Sequence, residues 1–252
     1  MGLPLAVAFG PPRDSLGRDL DAKRIADLRR GKDRTHEVDT AELASAQGLR
    51  PGNIDADVVD RDVFIVAVPT PINGARRRDL SGISDGSRAI GRHLKPGAVV
   101  IFEPAVYPGR AEEFCVPILK QSSGLSFNRD FLCGYSPERA NPGDRDHRLA
   151  TIAKVTTGST PDGARFFDAL YRSMVLAGTH LARSIRAPEA AEVVENTQRN
   201  LNIALINAFV LILNRLGPDT LEVLEAAGTT WNFLPFRPGF TEATALILIP
   251  TS

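Results

Sequence analysis

The stretch from Pro188 to Leu216 constrains this chain most, because it reads as one uninterrupted helix to which the preceding sequence must dock. Pro188 suits a first helical turn, where the missing N–H costs nothing, and Gly217-Pro218 supplies a C-terminal stop. At about 1.5 Å per residue such a rod spans roughly 40 Å, more than one small domain covers. Its last third, with Ile203, Leu205, Ile206, Phe209, Val210, Ile212 and Leu213, is apolar nearly all round, which predicts a place between two packed bodies. The middle differs. From Glu195 to Asn200 six polar residues follow one another, and such a run calls for solvent or a ligand. On pattern alone, a solvated patch on a linker helix is the simpler reading.

A chain of 252 residues makes one or two domains and buries a sizeable core. Its formal net charge is zero and its aromatics are few, so neither nucleic acid nor a membrane surface is expected as a partner. The longest apolar run outside the helix, Ala243 to Pro250, is too short to cross a bilayer. Two cysteines, Cys115 and Cys133, are too sparse for a disulfide framework, and the expectation is a cytoplasmic protein with reduced thiols. The four histidines are scattered without metal-ligand spacing, so no metal site is expected.

The opening Gly2 to Gly10 reads as a helix entered behind a single glycine. A nucleotide-binding Rossmann unit has strand, glycine-rich turn and helix, and of that turn the sequence holds one glycine, Gly2. A second helix, Ala22 to Arg30, turns Ile25, Ala26 and Leu28 inward, and Asp19 lies just before it. An acid there either binds the ribose hydroxyls of a dinucleotide or caps the helix. The segment Asp14 to Arg18 is a poor candidate for the intervening buried strand.

From Asp62 the pattern becomes regular. Asp62 to Val68 is an apolar strand ended by Pro69-Thr70-Pro71, followed by a helix from about Ser84 to Leu94 and a strand from Ala98 to Phe102. A helix through Gln121, strand-like runs at Phe131 to Gly134, Ile152 to Thr157 and Val175 to His180, and a helix from about Pro161 to Met174 complete a β/α alternation. That alternation implies an α/β fold with a mostly parallel sheet, and polar turns after successive strands put a cleft along one sheet edge.

Seven motifs taken together resemble the nucleotide-sugar dehydrogenase family of UDP-glucose and GDP-mannose dehydrogenases. They are GLPLAVAFG (2–10), VFIVAVPTPI (63–72), VYPG (106–109), FLCGYSPERANPGD (131–144), VTTGSTP (155–161), ENTQRNLNIALIN (195–207) and WNFLPFRPG (231–239). The likeness is strongest to the UDP-N-acetylhexosamine branch, which makes uronic acids for surface polysaccharides. It implies a Rossmann-like NAD-binding domain over residues 1–185, lacking its first strand. A central helix and helical dimerisation domain would follow over 186–240, with the family's UDP-binding domain absent. The implied reaction is oxidation of a sugar C6 alcohol to a carboxylate by two hydride transfers to NAD, through a cysteine thiohemiacetal and thioester, in a homodimer joined along the central helix. Such chemistry needs a thiolate, a donor for developing oxyanion charge and a carboxylate to handle water. By matching position, Glu138 would handle water and Asn196 would donate to the oxyanion. Arg139, Phe233 and Arg237 would contact the UDP-sugar, and Met1, Gly2, Asp19, Arg24 and Thr70 would contact NAD.

The sequence departs from the family pattern at four places. The opening strand and two fingerprint glycines are missing, and Met1 stands where the family has valine, as a misread start codon would leave it. The family's catalytic lysine, one turn before the asparagine, is Glu192. Reversing that charge turns attraction into repulsion, about 4 kcal/mol for unit charges about 4 Å apart at an effective dielectric near about 20, on the order of a thousandfold in rate. The Ser-Thr that precedes VYPG in the family is Pro104-Ala105. The glycine-rich segment carrying the nucleophile is replaced over residues 241–252 by a sequence that a one-base frameshift would explain, and neither Cys115 nor Cys133 stands at the nucleophile's position. The alternative to an enzyme is therefore an inactive fragment that keeps an NAD fold and a dimerisation module.

Overall fold

The computed structural model describes residues 2–10, 13–54, 58–72, 78–139 and 148–239. The chain divides into two compact units, residues 1–189 and 190–252. In the first, the elements run α1 (Gly2–Phe9), β1 (Ser15–Arg18), α2 (Ala22–Arg29), α3 (Thr40–Ser45), β2 (Leu49–Gly52), β3 (Val63–Val66), α4 (Ser81–Gly91) and β4 (Val99–Phe102). A single π-helical turn, Ala111–Cys115, then leads into α5 (Val116–Ser123), followed by β5 (Leu132–Tyr135), β6 (Lys154–Gly158), α6 (Pro161–Arg172) and β7 (Thr179–Leu181). Helix α7 (Arg186–Leu216) begins in the first unit and continues through the second, which also holds α8 (Thr220–Ala227).

Two sheets form. Strands β1 and β2 pair in parallel, and β3 to β7 make a five-stranded sheet in sequence order. The mostly parallel arrangement expected from the β/α alternation is present in β3-β4-β5 and in β6-β7, while β5 and β6 run antiparallel, with Tyr135 opposite Thr157. No crossover helix lies between β5 and β6 among the described residues, so the right-handed βαβ geometry that enforces parallel pairing does not apply there.

Strand β4 is the axis of this layer. All four of its residues are buried, and the two-residue period of a strand sends Val100 and Phe102 into one apolar cluster and Val99 and Ile101 into another. The first cluster lies with α4, α5 and the turn around Val106. The second lies with Phe167 and Tyr171 of α6 and with Leu5 and Phe9 of α1. Helix α1 also sends Leu3 into a third cluster with Leu28, Val38 and Leu43, so it joins the β1-β2 layer to the larger sheet.

Strand β1 forms despite its unpromising sequence. Asp14 ahead of it takes a bidentate pair from Arg50 and a further bond from Arg61, and Leu16 packs against the main core. Its partner β2, with Arg50, Pro51 and Gly52, carries no strand signal, and proline is tolerated there because β2 pairs with one neighbour. Asp19 does not cap α2; Asp21 does, accepting from the amides of Lys23 and Arg24.

Helix α7 is 31 residues long, beginning two residues before the span from Pro188 to Leu216 that the pattern predicts and ending with it. The expected burial of its apolar third is not met within this chain. Ile206 is buried, whereas Leu201, Leu205, Phe209, Leu211, Ile212 and Leu216 are 43–71% exposed.

Gly158 sits where β6 turns into α6, and a Cβ there would lie 2.5 Å from the Ala164 amide nitrogen, a backbone atom that cannot give way. Gly97 has φ of +89° with nothing near its missing Cβ. Gly158→Ala is therefore expected to cost at least about 3 kcal/mol, through overpacking, and Gly97→Ala about 1 kcal/mol, through backbone strain. Urea unfolding of both variants measures the difference, and equal losses would contradict the reading.

Candidate active site

The carboxyl ends of β4 and β5 open on one edge of the five-stranded sheet. Because β6 runs antiparallel to β5, its first residue, Lys154, arrives at that same edge. Glu103 follows β4 directly, with its amide bonded to the Val66 carbonyl, and Glu138 lies three residues beyond β5. Lys154 Nζ stands 2.9 Å from Glu103 Oε1 and 3.4 Å from Glu138 Oε2, with the three side chains 3%, 2% and 9% exposed. From α6, Tyr171 Oη donates to Glu103 Oε1 at 2.6 Å, and its ring lies 5.4 Å from Lys154 Nζ. Glu103 Oε2 is buried without a hydrogen-bond partner among the described residues.

Two carboxylates thus share one ammonium out of water. Burial holds the Glu103 carboxyl above the usual carboxylate range, against the lowering pull of Lys154. Burial by itself would lower the Lys154 amine, but Glu103 and Glu138 outweigh it and hold that amine above its ordinary value. The Tyr171 phenol is pushed far up, first by burial and then by Glu103.

Along the same edge, Thr70 after β3 is buried and donates from Oγ1 to the Ala105 carbonyl at 3.0 Å, while accepting from Arg78 Nη1 at 3.0 Å. The turns after β3 and β4 are therefore tied together, and Pro104 contributes its carbonyl to Tyr135 Oη at 3.1 Å. Arg139 donates to the Ala153 carbonyl at 3.5 Å, beside Lys154. Behind the VYPG turn, Glu189 is fully buried and accepts from the amides of Gly109 at 2.5 Å and Ala111 at 2.9 Å. Its carboxyl is pushed up by burial, against the lowering effect of those two amides. The first turn of α7 is fixed in this way to the helix that follows VYPG.

At the β1 end, Asp19 Oδ1 accepts from the Asp21 amide at 2.9 Å and Oδ2 pairs with Arg24 at 3.3 Å. The Asp19 side chain is 35% exposed, and Arg24 Nε is buried without a partner among the described residues. Gly2 begins α1 beside Ala67, the residue after β3. A carboxylate with accessible surface and, among the described residues, an unsatisfied guanidinium nitrogen beside a helix start suit the ribose and phosphates of a dinucleotide. Met1 and residues 140–147 lie outside the described residues, as does the tail beyond Gly239.

In the second unit, Glu192 and Asn196 share one face of α7 by their i,i+4 spacing, with Glu192 buried and Asn196 Oδ1 accepting from Arg199 Nη1 at 3.1 Å. Phe233 and Arg237 line a cavity of about 310 Å3 with Leu224 and Phe236. The two thiols are unsuited to nucleophilic attack: burial raises Cys115 to about 12 and Cys133 well above its ordinary value.

The model of the UDP-glucose/GDP-mannose dehydrogenase family's NAD binding domain matches residues 1–175, and that of its central domain matches 186–243. The chain belongs to this family. The UDP-N-acetyl-D-glucosamine 6-dehydrogenases of Pseudomonas aeruginosa and Salmonella typhi are 56% and 49% identical to it, each over 95% of this chain and 57% and 56% of their own length. Among solved structures, the UDP-D-ManNAc dehydrogenase of Pyrococcus horikoshii superposes with a TM-score of 0.86 at 30% identity, covering 94% of this chain and 57% of that one. The chain thus spans little more than half the length of the curated relatives it matches. NAD is the cofactor of the family's matched domain.

Sequence reasoning singled out Glu138 and passed over Glu103, Lys154, Tyr171 and Glu189 in this family member. A signal for two of them exists: Glu103 ends an otherwise apolar strand and Lys154 begins another, so two charges of opposite sign enter the interior where neither is expected singly. A carboxyl raised in the folded state adds stability below its unfolded value and loses it as pH rises through the folded one. Replacing Glu103 by Gln keeps the oxygen that faces Tyr171 and Lys154. Glu103→Gln is therefore expected to gain stability relative to the parent as pH rises from about 4 toward neutrality. Urea unfolding across that range measures it, and a pH-independent difference would contradict it.

Proposed function

We propose that this chain carries the NAD-binding and central portions of an NAD-dependent nucleotide-sugar 6-dehydrogenase. Its reaction is oxidation of the C6 alcohol of a UDP-N-acetylhexosamine to the uronic acid, for surface-polysaccharide synthesis. The observation that carries this reading is the 56% identity to a UDP-N-acetyl-D-glucosamine 6-dehydrogenase along 95% of the chain. Bound NAD supplies the hydride acceptor. Residues 1–185 form the cofactor domain in this reading and 186–240 the central helix and dimerisation domain.

Asp19 would accept from the adenine ribose hydroxyls, with Arg24 holding its second oxygen, and Gly2 would let the pyrophosphate approach the start of α1. Thr70, fixed between Ala105 and Arg78, would shape the wall beside the nicotinamide. Glu138 would take a proton from the water that releases the acid, and Asn196 would donate to the oxyanion. Arg139, Phe233 and Arg237 would hold the UDP-sugar. Glu192 opposes that chemistry: a carboxylate on the Asn196 face repels a developing oxyanion. This, with two buried and unionised cysteines, favours a second reading in which the chain by itself binds NAD without turning over.

Calorimetric titration of the purified chain with NAD is expected to show binding, weakened at least about tenfold by Asp19→Ala through loss of the ribose bonds. No binding would overturn the cofactor reading. With UDP-N-acetylglucosamine added, neither NADH nor uronic acid is expected from this chain; sugar-dependent NADH formation would overturn the inactive reading, and release of the uronic acid would show in addition that a group other than Cys115 or Cys133 attacks the aldehyde.

The exposed apolar face of α7 supports a homodimer joined along this helix. Sedimentation is expected to show concentration-dependent dimers, weakened at least roughly tenfold by Phe209→Asp. A monomer at all concentrations would rule this out.

A further inference from the structure

We propose that Lys154 is the positioning residue for Glu138: its ammonium, anchored from behind by Glu103, holds the Glu138 carboxylate at the sheet edge. The inference rests on the reading of Glu138 as the carboxylate that handles water. A carboxylate carried on an irregular segment three residues past β5 has several rotatable bonds between it and the sheet, and the strand itself cannot fix its direction. Lys154 is on the sheet. Its backbone is held by β6, and its amide donates to the Gly178 carbonyl at 3.2 Å. Its side chain is 3% exposed and its ammonium meets both carboxylates.

Among the described residues, the charged or titratable groups at this ammonium come from different elements. Glu103 comes from the end of β4, Glu138 from beyond β5 and Tyr171 from α6, whose Asp168 is occupied nearby by Thr156, Thr179 and Arg172. Glu103 bonds to Lys154 and Tyr171 through one oxygen and leaves the other buried without a partner among the described residues. A carboxylate serving stability alone would satisfy both oxygens or be replaced by an apolar residue, since a buried ion pair is a poor source of stability. A second carboxylate behind the lysine does one thing an apolar residue cannot. It keeps the amine charged and aimed while the first carboxylate accepts or releases a proton. Arg139, bonded to the carbonyl just before Lys154, closes the same corner.

The test is carboxyl labelling of the whole chain with a water-soluble carbodiimide and an amine, mapped by mass spectrometry. In the parent, Glu138 is expected to react at least roughly tenfold more slowly than exposed Asp162. Lys154→Met is expected to raise the Glu138 rate roughly tenfold while Asp168 stays protected, and Lys154→Arg is expected to restore protection. Unchanged protection of Glu138 in folded Lys154→Met, or a Lys154→Arg variant as reactive as the methionine one, would overturn the proposal. If Lys154→Met does not fold, Glu138→Gln reads the contact from the other side. Acetylation of Lys154 by an N-hydroxysuccinimide ester is then expected to rise roughly threefold, and no rise would overturn the proposal equally. NAD titration of the parent separates the two readings: failure to bind NAD removes the functional reading and leaves the labelling result standing, whereas unchanged labelling removes the positioning role and leaves NAD binding intact.

Discussion

A strand buried on both faces that ends in a carboxylate sets the terms for the first unit of this protein. Val99 to Phe102 gain their stability by excluding water from both sides of the sheet, and Glu103 follows before the chain has left that dry layer. A carboxylate there needs a cation within reach, and the sheet meets the need by reversing one strand. The antiparallel entry of β6 delivers Lys154 to the edge where β4 and β5 end. Had β6 run parallel to β5, its first residue would lie at the opposite edge and Glu103 would be without a cation from that strand.

The same reversal concentrates charged and polar groups at one sheet edge. Glu138, Thr70, Ala105 and Arg139 all sit on turns, which are free to vary, yet each is tied back to a strand or a neighbouring turn by a hydrogen bond or ion pair. Glu189 does comparable work for the VYPG turn, binding two amides at the start of a helix whose own first turn has no side-chain cap. The contacts of Glu189 and Lys154 are buried, so they persist at ionic strengths that erase the surface pairs elsewhere in the chain. The result is an edge of irregular segments with strand-like definition.

Family membership and the departures from its pattern act on different parts of the protein. The residues that carry packing, such as Val100, Leu119, Phe167 and Tyr171, are fully buried and build the layers shared with the solved relatives. The departures fall on Glu192, Pro104 and Ala105, positions to which the resemblance assigns chemistry. Ala105 contributes a backbone carbonyl to Thr70, and a carbonyl is indifferent to the side chain it belongs to. The turn is therefore held through backbone carbonyls and not through side-chain hydroxyls of Pro104 or Ala105.

The α/β class, the order of the elements from β3 onward and the extent of the central helix to within two residues were all legible in the sequence, because they depend on periodicity and on apolar runs bounded by turns. Glu138 was singled out only through the motif that carries the family resemblance. What the sequence did not yield depends on contacts between distant residues. Strand β2 forms where Leu49 packs against the third cluster and the chain pairs with β1, not because Leu49 to Gly52 favours extension. The antiparallel sense of β6 leaves no trace in local pattern, since an apolar strand reads alike in either direction. Hence the meeting of Glu103, Lys154, Glu138 and Tyr171, residues up to 68 positions apart, was decided by tertiary structure. Burial makes each charge intolerable without the others, and only the folded sheet brings them within reach.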